Sequence, residues 1–355
     1  MKILFIVPYS TEGASNRFRV EQYLPYLDKE GMEYDIRPFV SSRFYKILYS
    51  KKECVKKIFY FIQAFFNRIL DIMRLGRYDL VFIHRESCPF GPPVFEWLIH
   101  KLGKSIVFDF DDAIFLQNYN LANRFYSFLK FPSKTKEIIK MSSSVIVPNI
   151  FLKEYVCEFN KNAHIIPTPI DTDRFRIIEK SSDKPVIGWI GSFTTAPYLK
   201  IVFNVMQRLS EKYDFTLKIF GAGEIINIPG VSVENYDWHL EKEEEYFQSI
   251  DIGIYPLTDT LWARGKAGFK AIQYMAVGVP VVASSIGMNK EIIRDGVSGF
   301  LVSSDQEWFD RISRLIEYPA LRKKMGFAGR EAVEEKYSVK INAPKYLEII
   351  KRINT

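Results

Sequence analysis

Eight short runs dominated by apolar residues recur along the chain: Lys2–Val7, Leu80–Ile83, Ser105–Phe108, Ser144–Val147, Val186–Ile190, Thr216–Phe220, Ile252–Tyr255 and Val279–Ala283. Each is closed at once by proline, glycine or a polar residue. Runs of four to six residues with no polar face suit strands buried on both sides, as in parallel sheets covered by helices. The intervals leave room for crossover helices, so both halves read as doubly wound α/β. Between the fourth and fifth runs, His164–Phe175 and Lys180–Pro185 are rich in proline, serine and charge, as an interdomain linker is. The pattern predicts an N-terminal domain over 1–170, a second over 183–337, and a final helix within 340–355 that crosses back to the first.

Composition agrees with two ordinary cores: 355 residues, 47% hydrophobic and 26% charged, which excludes disorder. The three cysteines, Cys54, Cys88 and Cys157, are odd in number and lack the close pairing of a zinc site. With no secretory leader before the first strand-like run, they predict a reducing cytoplasm. A net charge of +7 suits phosphate-bearing ligands or an anionic membrane as well as nucleic acid, and no nucleic-acid reader motif is present. No apolar stretch reaches the roughly 20 residues that span a bilayer. Residues 43–77 nevertheless interleave Phe44, Tyr45, Ile47, Leu48, Phe59, Phe61, Phe65 and Phe66 with eight cations between Lys46 and Arg77, Lys51 among them. That pattern fits a membrane-surface segment or a helix pair with inward aromatics.

In open parallel sheets ligands bind beyond the carboxyl ends of the strands, so two such domains predict a site in the cleft between them. The loops expected there hold Gly13, Ser15, Asn16 and Arg17 in the first half, and Gly191, Ser192, Gly221, Gly223, Arg264, Lys266 and Lys270 in the second. Small residues let a ligand approach the backbone, and helix N-termini with cations nearby hold diphosphates. Glycine after a strand also serves plain turn geometry.

The text from Ala263 through Gly268-Phe-Lys-Ala-Ile-Gln-Tyr-Met-Ala-Val-Gly-Val-Pro280, followed by Asn289-Lys-Glu-Ile-Ile and Asp295-Gly-Val-Ser-Gly299, closely resembles the donor-binding half of retaining glycosyltransferases of family 4. Pro167–Phe175, Gly188–Ser192 and Ile219–Glu224 resemble that family's motifs in the same order. The resemblance covers about residues 164–337. It implies the GT-B fold, two Rossmann-like domains facing a central cleft. It also implies sugar transfer from a nucleoside-diphosphate sugar to a glycan or polyprenyl-linked acceptor with retained configuration, without a metal or other cofactor.

A departing diphosphate accumulates charge that fixed cations and N–H dipoles must stabilise. Arg264, Lys266 and Lys270 are assigned that clamp, the plain alternative being solvated basic loop residues. The family's two glutamates fall at Gly265 and Gln273, so neither carboxylate is present, and Gln273 offers only its amide to a ribose. Asp111 and Asp112, in Asp109-Phe-Asp-Asp112, and His84 are the catalytic candidates, for sugar or acceptor contact and proton transfer. The cluster predicts a raised carboxyl pKa unless a cation is near, with metal binding and helix capping as rivals. Gly13, Arg17, Gly191, Ser192, Gly221, Trp238 and Glu291 complete the donor-binding candidates, with Arg19 and Tyr236 beside them. The rival functions are a sugar-nucleotide epimerase of the same fold and a non-catalytic nucleotide-sugar-binding subunit.

Overall fold

The computed structural model describes residues 1–48, 50, 52–116, 131, 133–179 and 184–353. Lys51, residues 180–183 of the expected linker and the last two residues of the expected crossing helix lie outside the described residues. The chain divides into two compact units, Met1–Pro169 with Asn342–Thr355, and Ile170–Ile341.

The first unit is a six-stranded parallel sheet of β1 (Lys2–Tyr9), β2 (Glu33–Val40), β3 (Leu80–His84), β4 (Ser105–Asp109), β5 (Ser144–Val147) and β6 (Ala163–Ile165), in the order β2-β1-β3-β4-β5-β6. Ile3 to Val7 are fully buried, as a strand with helices on both faces requires. The order reverses between β1 and β3, and the carboxyl ends there form the sheet's switch point. The expected single helix from Arg17 to Glu30 is broken: Ala14–Arg19, a 3₁₀ turn at Glu21–Tyr23, then Leu24–Lys29. Pro25 near the start of the last piece has no N–H to continue the earlier ladder. The helix Val339–Arg352 straddles the division, and its later part packs on this unit, with Tyr346 stacked on Tyr23 at 4.0 Å between ring centres.

The second unit is also six-stranded and parallel: β7 (Val186–Ile190), β8 (Thr216–Phe220), β9 (Ser232–Tyr236), β10 (Ile252–Tyr255), β11 (Val281–Ser284) and β12 (Gly299–Val302). Its order, β12-β11-β10-β7-β8-β9, is that of a dinucleotide-binding sheet. Here the switch point lies between β7 and β10. One face is packed by Ile187, Trp189, Leu217 and Ile219 against Val205, Met206 and Leu209 of the helix Phe203–Ser210, and by Trp308 and Ile312 of the helix Asp305–Glu317. Arg330 ties the unit's two ends together by donating to the carbonyls of Thr172, Phe175 and Ala276.

Candidate functional site

At the switch point of the first unit, neighbouring strands deliver three groups that form a continuous chain. Ser15 lies in the first turn of the helix after β1, His84 ends β3 and Asp109 ends β4. His84 Nδ1 is 2.7 Å from Asp109 Oδ1, and its Nε2 is 3.0 Å from Ser15 Oγ. An ionised Asp109 accepts from Nδ1–H, which leaves Nε2 as the acceptor for the serine hydroxyl. His84 and Asp109 are fully buried, while Ser15 is half-buried at the end of the chain. Arg19, also buried, donates to both carboxylate oxygens of Asp109 and to the Ile166 carbonyl at 2.7 Å. Burial alone would raise the Asp109 carboxyl, but the Arg19 charge and the His84 contact overcome it and hold it below the usual range.

The next residue, Arg85, is the one non-glycine among the described residues with positive φ, at 62°. Backbone held in that region costs of order 1–3 kcal/mol and persists where the surroundings impose it. Here Arg85 N–H donates to the Asp109 carbonyl at 2.7 Å, and the guanidinium reaches Asp111 and Asp112, each at 2.8 Å. The acidic cluster therefore takes the branch in which cations are present. Burial is the largest influence and pushes the Asp111 carboxyl up, but Arg85 together with the other cations around it outweighs burial, and the carboxyl settles at about 2. Both catalytic-candidate aspartates are engaged by one arginine, an arrangement that orients carboxylates rather than leaving them open to a cation.

Arg17 is buried and its Nη1 donates to the carbonyls of Thr11 and Glu12, so it fastens the loop that carries Gly13. Glu12 in turn accepts from Ser10 at 2.5 Å and from Ser42 at 3.2 Å.

The second unit presents a different surface at its strand ends. Gly221 has φ +76°, and a Cβ there would stand 2.6 Å from the Gly191 carbonyl oxygen. Adjacent strands thus end in two glycines in backbone contact, with Ser192 next in line and its N–H held by Thr195 Oγ1 at 3.0 Å. Beside them the helix Phe269–Ala276 begins after Gly268 at φ 65°. Lys270, in its first turn, is 2.9 Å from Gln273 Oε1 and lies 5.3 Å and 5.1 Å from the ring centres of Trp238 and Phe247. Gln273 is fully buried and donates through Nε2 to Glu243 Oε1 at 3.1 Å. Glu243 is itself buried, with Arg174 4.0 Å away.

The remaining candidates take other partners. Arg264 is exposed and pairs with Asp259 at 2.7 and 2.9 Å. Lys266 is half-buried, Glu291 is exposed, and its carbonyl accepts from Tyr337 at 3.5 Å. Tyr236 is exposed and stacks on Phe220. Sequence reasoning placed Ser15 only as a loop residue and missed Glu243 and the structural use of Arg19. The buried Glu243 opens a charged helix, Glu243–Gln248, whose pattern resembles a solvated face, so nothing in its neighbourhood advertised it.

Residues 184–318 match the family model described as glycosyl transferases group 1. The second unit therefore carries a segment similar to group 1 glycosyltransferases, and the two parallel sheets have the GT-B fold. The trehalose synthase of Pyrococcus horikoshii is 29% identical to this chain over 237 residues, 56% of this chain and 55% of the relative. CapM of Staphylococcus aureus, a capsular polysaccharide biosynthesis glycosyltransferase, is 22% identical over 45% of this chain and 44% of its own. The chain thus spans about half the length of the curated relatives it matches. Among solved structures, a glycosyltransferase from Rickettsia africae superimposes with a TM-score of 0.71 at 17% identity, covering 99% of this chain and 98% of its own. HepE of Anabaena in complex with UDP-glucose does so with 0.70 at 14% identity, covering 99% and 100%. At such identities the structural likeness is one of fold.

Proposed function

We propose that the protein transfers a sugar from a nucleoside-diphosphate sugar to a hydroxyl of a glycan or polyprenyl-linked acceptor, with retained configuration and no metal. The observation that carries this reading is the meeting of Gly191 and Gly221 at adjacent strand ends beside Lys270, within the segment that matches the family. A glycine floor admits a diphosphate to within hydrogen-bond reach of backbone N–H groups, and the helix N-terminus with its lysine adds the positive charge. That HepE was solved with UDP-glucose supports a nucleotide-sugar donor here.

In this proposal the second unit holds the nucleotide sugar. The first unit supplies the acceptor side, with Asp111 and Asp112 fixed by Arg85 and a proton path of Ser15, His84 and Asp109. Retention on this fold fits front-face substitution, in which the leaving phosphate and the acceptor oxygen share one side of the sugar. Glycine at 265 and glutamine at 273 are the features a non-catalytic binding subunit would share. The buried carboxylate of Glu243, 3.1 Å from Gln273, supports an active enzyme in which an acid has been resupplied from another helix. The acceptor is placed at the cytoplasmic face of a membrane, with contact through residues 43–77. A thermal-shift panel of nucleotide sugars tests the donor half, since a ligand of the folded state raises the melting temperature. Product analysis with and without acceptor separates transfer from epimerisation, and no shift with any nucleotide sugar overturns the reading.

A further inference from the structure

The helix Cys54–Met73 is apolar on two faces, one packed inward through Phe61, Ala64 and Ile72 and one turned to solvent. Its inward face buries Arg68 and Asp71, paired at 2.9 Å, with Arg68 also donating to the carbonyls of Ser87 and Arg37, each at 3.1 Å. Its outward face carries Val55, Phe59, Ile62, Phe66, Leu70 and Met73, spaced three or four apart as one continuous stripe. All are exposed, Val55 to 81% and Met73 to 77%. The structure also sorts the sequence pattern: Phe44 is buried, Tyr45, Ile47 and Leu48 pack against the same cluster, and Phe61 turns into it from the helix, so the inward-aromatic alternative holds for them and not for the stripe. The adjoining helix Val94–Lys101, joined to it through Phe65 and Phe95 at 5.2 Å, leaves Trp97 exposed as well. Soluble monomers rarely leave an apolar strip of this length in water.

The charge around the stripe chooses its occupant. Lys52 and Lys56 lie at its first turn, and Arg74 and Arg77 follow its last; all four are exposed. The acids nearby are already engaged, Glu53 with Lys56 at 2.9 Å and Asp71 with Arg68. Both ends are therefore basic. Two copies pairing along this stripe, in either direction, would set cation against cation, a costly juxtaposition at an interface. A surface that is apolar within and anionic at its rim matches both properties, and that is the headgroup boundary of an anionic bilayer.

We propose that the helix Cys54–Met73 lies in the plane of an anionic bilayer, with the Val55–Met73 stripe among the acyl chains and Lys52, Lys56, Arg74 and Arg77 on lipid phosphates. This deepens the function proposed above by naming the surface through which a lipid-linked acceptor is met, and rests on that reading only for its purpose.

The test is flotation of the full chain with vesicles of phosphatidylcholine alone or mixed with phosphatidylglycerol, alongside the variant Phe59→Gln/Phe66→Gln. Both phenylalanines are exposed, so the variant keeps its fold, which its melting temperature verifies. The expected result is recovery with phosphatidylglycerol vesicles that weakens in high salt and falls about tenfold or more in the variant. Equal recovery of wild type and variant, or indifference to phosphatidylglycerol, overturns the proposal. So does a wild-type dimer in light scattering that the variant dissociates, which would assign the stripe to a second copy. Nucleotide-sugar thermal shifts in lipid-free buffer are expected to be the same for both proteins, so loss of flotation and loss of donor binding are told apart.

Discussion

The two sheets end in opposite chemistries although their topologies are nearly the same. At the switch point of the first unit the strand ends carry buried charge locked in pairs, Arg19 with Asp109 and Arg85 with Asp111 and Asp112, and a histidine joined to a serine. At the ends of β7 and β8 in the second unit, glycines meet backbone to backbone. The nearby Lys270 is held by a neutral amide and two aromatic rings. One edge fixes side chains in place; the other clears side chains away. A parallel sheet supplies the location for a ligand, and what happens there depends on whether the strand-end positions are filled or vacated.

Asp109→Asn is the substitution expected to break the first edge most severely. It keeps the shape but leaves Arg19 buried without a counter-charge, costing about 4 kcal/mol in urea unfolding. A loss under about 1 kcal/mol would mean the pair is not the anchor of that edge. In the second unit, Gln273→Glu sets two buried carboxylates side by side and is expected to cost about 2 kcal/mol, with a smaller thermal shift from whichever nucleotide sugar stabilises the wild type. Adding Glu243→Gln should restore both, because the pair then again holds one acid and one amide; failure of the double variant would show that Glu243 is no substitute for the missing glutamate.

Gly221→Ala should cost about 1–2 kcal/mol, since alanine resists φ +76° and meets the Gly191 carbonyl. The same change at the exposed Gly31, also at positive φ but with open space around it, gives the control for φ alone. The two edges should also differ in acid. A carboxyl whose folded pKa lies below its unfolded value stabilises the fold above the unfolded pKa, and that contribution drains as pH falls. For Asp111 the window runs from about 4, the unfolded value, down to about 2. Arg85→Gln should flatten the acid limb of the stability curve there, while Gly221→Ala should shift the curve without changing its slope. The smallest effect on folding is expected for Ser15→Ala, about 1 kcal/mol or less. Its turnover should fall about tenfold or more with the donor KM unchanged if the serine passes on the acceptor's proton.

Legibility in the sequence followed strand position. The eight apolar runs correspond to β1, β3, β4, β5, β7, β8, β10 and β11, which are the interior strands of the two sheets. The four strands with no such run, β2, β6, β9 and β12, are the edges. Interior parallel strands are covered on both faces and must be apolar throughout, whereas an edge has one free side and tolerates charge and proline, as in Glu33-Tyr-Asp-Ile-Arg-Pro38. The last of the eight runs begins two residues before its strand, since Val279 and Pro280 are apolar but precede the ladder of β11.

The sequence by itself determined the doubly wound architecture and the family likeness of the second half, because these are written in local periodicity and in contiguous motifs. Only the tertiary structure decided that Ser15 meets His84 across 69 residues, that Gln273 meets Glu243 across 30, and that the helix Cys54–Met73 turns its apolar face outward. Those facts depend on which strand ends lie side by side and which helix face finds a partner. A hydrogen bond or a packed surface is short-ranged, and the chain separation that conceals it in the sequence costs little once the sheet has closed the loop.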